Sequence, residues 1–163
     1  LRFSASRDSL TGLRNVTSYK RWVEEFDRDV ANKTAEFGVV VFDLNQLKET
    51  NDVYGHDVGD KLIVSVAKVI SDVFKRSPVF RIGGDEFLAV LRHGDLEDCE
   101  KLFIQLDLEC ENTFVEEKSK IPISIARGFA RFDPDKDLHF NDVFKRADYA
   151  MYENKRKSKE VTF

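Results

Sequence analysis

The run Phe37-Gly-Val-Val-Val-Phe42 constrains the fold more than any other stretch of the chain. Its apolar residues are continuous instead of alternating, and Val39, Val40 and Val41 are β-branched. That pattern predicts a strand buried on both faces, inside a sheet that helices cover. Upstream, Thr17 to Val30 predicts a helix with Tyr19, Trp22, Val23, Phe26 and Val30 close to one face. Downstream, a short helical piece runs to about Tyr54, His56 to Gly59 forms a turn, and Asp60 opens a helix. Leu62, Val66, Val69 and Val73 recur there at helical spacing. Val79 to Ile82 and Phe87 to Leu91 predict two short strands, joined as a hairpin by Gly83-Gly84-Asp85-Glu86. Leu96, Cys99, Phe103, Leu106, Cys110 and Phe114 make another helical stripe. Ile121 to Phe132 predicts a strand, Phe140 to Tyr152 a last helix ending in a Lys/Arg cluster, and Val161 to Phe163 a closing strand. Hairpin-linked strands mixed with crossover helices predict an α+β sandwich, helices flanking a mostly antiparallel sheet.

A chain of 163 residues, 42% hydrophobic, can bury a real core as one domain. The formal net charge of -4 argues against a dedicated nucleic-acid surface, which normally carries a basic stripe. Nucleotides remain within reach if metal ions stand between carboxylates and phosphates. The two cysteines, Cys99 and Cys110, fall on apolar helical positions and read as reduced core residues, not as a disulfide framework or zinc site. The Phe37–Phe42 run is too short to span a bilayer, and no signal peptide is visible. The expectation is a cytoplasmic domain without membrane contact of its own. Its abrupt start at Leu1-Arg2-Phe3 suggests a piece of a longer protein.

Asp43 directly follows the apolar strand. A carboxylate there is either a helix cap or a ligand held at the end of a sheet. Gly83-Gly84-Asp85-Glu86 puts an acidic pair at a hairpin tip, beside two residues small enough to let a ligand approach the backbone. If the two strands are neighbours, Asp43 and Asp85 can converge on Mg²⁺, as in a two-ion phosphoryl-transfer site with ions roughly 3.5–4 Å apart. The third cluster, Lys48 to Asp60, packs an amide, a lysine, an imidazole and carboxylates around two glycines. Asn and Asp together can read a guanine edge, because the carboxylate accepts from N1–H and N2–H₂. A polar loop with helix caps explains the same residues without a ligand.

Taken in order, Asp8-Ser-Leu-Thr-Gly-Leu-Arg-Asn15, Phe42-Asp-Leu-Asn-Gln-Leu-Lys48, Asn51-Asp-Val-Tyr-Gly-His56, Gly59-Asp60, Arg81-Ile-Gly-Gly-Asp-Glu-Phe87 and Ala147-Asp-Tyr-Ala-Met-Tyr152 resemble the signature of the GGDEF family of diguanylate cyclases. The resemblance implies a nucleotide-cyclase or polymerase-palm-like fold. It implies an enzyme that condenses two GTP into cyclic di-GMP as a homodimer, using two Mg²⁺ per active site, with Mn²⁺ as a substitute. Asp43, the Leu44 carbonyl, Asp85 and Glu86 would hold the metals, with Asp85 and Glu86 as the catalytic acids. Lys48, Asn51, His56, Asp60, Lys155 and Lys159 would contact the nucleotide, Asn51 and Asp60 reading the guanine and Lys155 the triphosphate. The loop from Asp8 to Asn15 would approach the phosphates. Ser158-Lys159 stands where the family has Gly-Arg, keeping charge but not guanidinium geometry. Asn45-Gln46-Leu47 replaces the more usual Asp-x-Phe. Phe74 and Ser77 stand where many members carry the Arg and Asp of an inhibitory product site. Residues 1–7 would end an upstream linker or signalling helix and residues 8–163 form the catalytic domain. A sensor domain would precede them in the full-length protein, which could be membrane-anchored. The alternative is a silent module that binds GTP or a protein partner.

Overall fold

A computed structural model of the chain describes residues 5–115 and 120–161, with side chains through Ser158. The continuous apolar run becomes β1 (Gly38–Leu44), a strand with a neighbour on each side. It pairs antiparallel with β3 (Glu86–Leu91) and with β4 (Ile125–Arg131), while β2 (Val79–Arg81) pairs beyond β3, giving the order β2-β3-β1-β4. Because successive side chains of a strand point to opposite faces, β1 feeds two separate cores. Val40, Phe42 and Leu44 join a cluster that includes Leu62, Val66, Ile70 and Phe74. Most of that cluster's helical part comes from α3 (His56–Val73), whose apolar residues recur every three or four positions. Phe37, Val39 and Val41 join the other cluster, with Phe26 and Val30 of α1 (Val16–Ala31) and Phe140, Val143 and Ala147 of α6 (Phe140–Val161). Phe37 stacks on both Phe132 and Phe140, at centroid distances of 5.3 and 5.6 Å. Asn15 caps α1, its side chain accepting from the Ser18 backbone N–H at 3.0 Å.

The α+β sandwich with an antiparallel sheet is therefore the observed architecture, and four local expectations change. His56 to Gly59 is the start of α3, not a turn. Gly55, at φ +94, makes the whole reversal from α2 (Leu47–Tyr54) alone, so no further turn residues are needed. The single stripe from Leu96 to Phe114 divides at Asp98 into α4 (His93–Glu97) and α5 (Cys99–Asn112), and Phe114 lies past the helix in an isolated bridge to Pro122. The strand expected from Ile121 begins only at Ile125, after Pro122, which lacks a backbone donor for a ladder. The expected closing strand is absent at Val161, because the Lys, Arg and Glu residues after Tyr152 are good helix formers and extend α6 through it. Residues 162 and 163 lie outside the described residues. Cys99 is buried, Cys110 half-buried, and both are free thiols. Among the described residues no helix is long and apolar enough to cross a membrane.

Gly128 fixes how closely α6 lies on β4. A side-chain carbon there would run into the backbone N of Met151 and O of Ala147, and come within 2.7 Å of the Ala150 carbonyl carbon. Backbone atoms inside a helix cannot rotate away, so α6 would have to shift as a body. Gly128→Ala is expected to destabilise the fold by about 2–3 kcal/mol, read as a lower urea midpoint at unchanged m-value.

Candidate functional site

β1 runs out of its apolar stretch at Asp43, whose antiparallel partner is Glu86, the first residue of β3. The next residue, Leu44, donates its N–H to the Asp85 carbonyl at 2.8 Å. Register alone therefore brings Asp43, Asp85 and Glu86 to one end of the two central strands. The hairpin tip closes through Ile82 and Gly83, whose N–H groups both reach the Glu86 carbonyl.

Arg81 holds this tip from the side. Its guanidinium donates to the carbonyls of Gly83 and Gly84, the latter at 2.8 Å, and to both oxygens of the Asp8 carboxylate at 3.1 and 3.3 Å. Asp8 also accepts from the Thr11 N–H and hydroxyl. Burial by itself would raise the Asp8 pKa, but the bonds from Thr11 and Arg81 outweigh it and hold the carboxyl below its ordinary value. The loop from Asp8 to Asn15, expected near phosphates, thus has its carboxylate engaged by Arg81. Sequence reasoning missed Arg81 as a site residue. The available signal was a single cation inside a run of glycines and acids.

Lys155, on α6, donates to Asp43 Oδ2 at 2.6 Å, and both side chains are largely shielded from water. Beside it, Asn154 Oδ1 accepts the Arg127 backbone N–H at 3.1 Å and ties this turn of α6 to β4. Glu86 is not among the ion pairs found between described residues. Burial, and then the charges of Asp148, Asp43 and Asp85, push its carboxyl above the ordinary value. This end of the sheet thus carries more negative charge than its own lysine neutralises.

A cleft of about 350 Å³ opens here, with Leu44, Gln46, Lys48, Asp85, Lys155 and Ser158 among its walls. Gln46, at φ +69, turns the chain from β1 into α2. Asn45 donates from its amide to the Ser124 hydroxyl at 3.0 Å, so this departure from the family pattern is engaged with the neighbouring segment. Lys48 is exposed on α2. Asn51, His56 and Asp60 are not walls of this cleft. Asn51 lies half-buried against Gly59, and His56 and Asp60 are exposed in the first turns of α3. The Lys159 side chain falls outside the described residues.

No group of three or more His, Cys, Asp or Glu side chains close enough to hold a metal ion is found among the described residues. The donor chemistry nonetheless suits a hard cation. The groups at this end are carboxylate and carbonyl oxygens, and Glu86, pushed upward by burial and then by three neighbouring acids, sits where such an ion would favour its charged form. At the opposite end of β2, Phe74 is fully buried and Ser77 donates its hydroxyl to the buried Asp95 at 2.6 Å. Phe74 offers a ligand no side-chain hydrogen bond, and the Ser77 hydroxyl is already engaged by Asp95.

The sequence profile of the family described as "Diguanylate cyclase, GGDEF domain" matches residues 5–160. A protein of Escherichia coli strain K12 named a probable diguanylate cyclase, DgcC, is 26% identical over 164 residues, covering 99% of this chain and 44% of its own length. An uncharacterised membrane protein of Staphylococcus haemolyticus is 29% identical over 144 residues, 86% of this chain and 40% of that protein. The chain thus spans less than half the length of these relatives. Among solved structures, the coiled coil and GGDEF domain of DgcB from Caulobacter crescentus, in complex with c-di-GMP, superposes with a TM-score of 0.81 at 25% identity. That match covers 96% of this chain and 83% of the other. The fold is the palm-like fold of these domains.

Glu86 yields a prediction with a definite sign. Its folded pKa lies above its unfolded one, so stability is fully present below the unfolded value and is lost as pH rises through the folded value. Without added metal, Glu86→Gln is expected to raise Tm near neutral pH, and the gain should close below about pH 4, where both forms are neutral. Thermal melts of both proteins across that range check it.

Proposed function

The chain belongs to the GGDEF domain family, and on that premise we propose that it is a diguanylate cyclase. It would join two GTP molecules into cyclic di-GMP, releasing two pyrophosphates, with one GTP held by each of two facing copies. The observation that carries this reading is the β1–β3 register, which sets Asp43 directly opposite Glu86 and ties Leu44 to Asp85. Asp43, the Leu44 carbonyl, Asp85 and Glu86 would hold two Mg²⁺, or Mn²⁺ in their place. Those ions, when bound, stabilise charge on the phosphates and lower the pKa of the attacking hydroxyl. Asp85, at the hairpin tip, accepts the proton of the 3′-hydroxyl as its oxygen bonds to the partner's α-phosphorus and the bond to the pyrophosphate oxygen breaks. Lys48 and Lys155 line the same cleft and supply cations for the triphosphate, with Lys159 next along the helix. Asn51 and Asp60 read the guanine edge, and His56 contacts the nucleotide. Residues 1–7 end an upstream linker or signalling helix, residues 8–163 are the catalytic domain, and a sensor domain precedes them.

A second reading, a silent module that binds GTP or a protein partner, is favoured by one observation. Lys155 already places a cation on Asp43. In the cyclase Lys155 would have to release Asp43 for that carboxylate to hold a metal, whereas in a silent module the pair would stay closed.

Incubating the chain with GTP and Mg²⁺ and identifying the product by mass separates the two. Cyclic di-GMP is expected, and its absence at high protein concentration favours the silent module. Asp43→Ala and Asp85→Ala should each keep the fold and lower turnover by at least about a hundredfold, the usual scale for losing one fixed electrostatic group. Specific activity should rise with protein concentration, because a single copy holds one GTP. Constant specific activity down to dilute monomer would contradict the facing-copy mechanism.

A further inference from the structure

Asn51 and Gly59 meet where α2 packs on α3, and the reason for a glycine there is not conformational. Gly59 is buried in ordinary helix, with no positive φ, and its N–H donates to the Gly55 carbonyl at 3.2 Å. In such a position alanine would favour the helix by about 1 kcal/mol. A side-chain carbon at 59, however, would overlap Asn51 Oδ1 and lie 2.9 Å from Asn51 Cγ, with Leu47 Cδ1 at 3.5 Å. The space that glycine leaves is filled by one side-chain amide. Among the described residues no hydrogen bond to that amide is found, so packing against Gly59 is what positions it. Asp60 follows Gly59 directly in the same helix and is exposed.

Resting on the cyclase reading of Asn51 and Asp60, we propose that Gly59 is a positioning residue for base selection. Its missing side chain lets the Asn51 amide lie against α3 beside Asp60, so that amide and carboxylate address one guanine edge together. The contrast with Gly128 is instructive. There the obstructing atoms are backbone and the fold must yield, whereas at Gly59 the obstructing group can rotate away. Gly59→Ala should therefore cost recognition and not stability, because the amide swings off α3 while both helices stay.

The test is a double-mutant cycle on GTP binding, measured by calorimetry with GTP and ATP as probes and without requiring turnover. Gly59→Ala is expected to keep the wild-type Tm within a few degrees while weakening GTP by about tenfold, the scale of one lost hydrogen bond. ATP binding should be unchanged, so discrimination falls. Asn51→Ala should lose a similar amount, and Gly59→Ala with Asn51→Ala should lose no more than Asn51→Ala alone, because one residue acts through the other. Additive losses, or wild-type GTP affinity in Gly59→Ala, would overturn the positioning role while leaving the base-reading role of Asn51 intact. Wild-type affinity in Asn51→Ala would overturn the role of Asn51 itself and the inference with it. A Gly59→Ala chain that unfolds would make the contact structural and equally end the proposal.

Discussion

The rest of the structure depends on β1 being buried on both faces. Val39, Val40, Val41 and Phe42 are fully excluded from water, so α3 must cover one face and α1 with α6 the other. Polar chemistry is affordable only where such a strand leaves the core, and Asp43 stands there. The continuous ladder to β3, from Gly38 opposite Leu91 to Asp43 opposite Glu86, then leaves Glu86 no choice of place.

Electrostatics at that end follows from the same burial. Carboxylates gathered at the margin of an apolar sheet lose hydration and, secondarily, repel one another, which is why Glu86 titrates upward. Lys155 relieves Asp43, but it can do so only because α6 lies close on β4, and α6 lies close because residue 128 is a glycine. A small residue in the last strand thus sets the charge balance of a site built on the first. Arg81 works in the same way on the other flank, holding two hairpin carbonyls and Asp8 with one planar group.

Much of this was legible in the chain. The apolar run, the helical periods and the glycine-rich hairpin identify the layers, because local periodicity is what sheets and helices impose. Neighbourhood was not legible. Nothing in the residues around Asp43 indicates that its ion partner is Lys155, nor that Asp8 would be engaged by Arg81, since both contacts arise from packing between distant elements. The boundaries that differed share a cause as well. Gly55 absorbed a turn assigned to the residues after it, and Asp98 interrupted an apolar stripe whose spacing looked continuous. Periodicity sees faces and not the backbone angles that end them. The Asn51–Gly59 contact lay between these cases, because both residues were visible as motif positions while their mutual fit was not.

The place of β4 in the sheet has a consequence for the order in which the molecule can be completed. β1 is made first, while its second neighbour, residues 125–131, and the lysine that neutralises Asp43, 112 positions further on, leave a ribosome well after it. Until they arrive, a valine-rich strand has one hydrogen-bonding edge without a partner, the kind of edge that adheres to other chains. The nascent sheet is therefore exposed to aggregation while the residues between β1 and β4 are made. It closes that edge and neutralises its acidic end within one stretch, from β4 into α6.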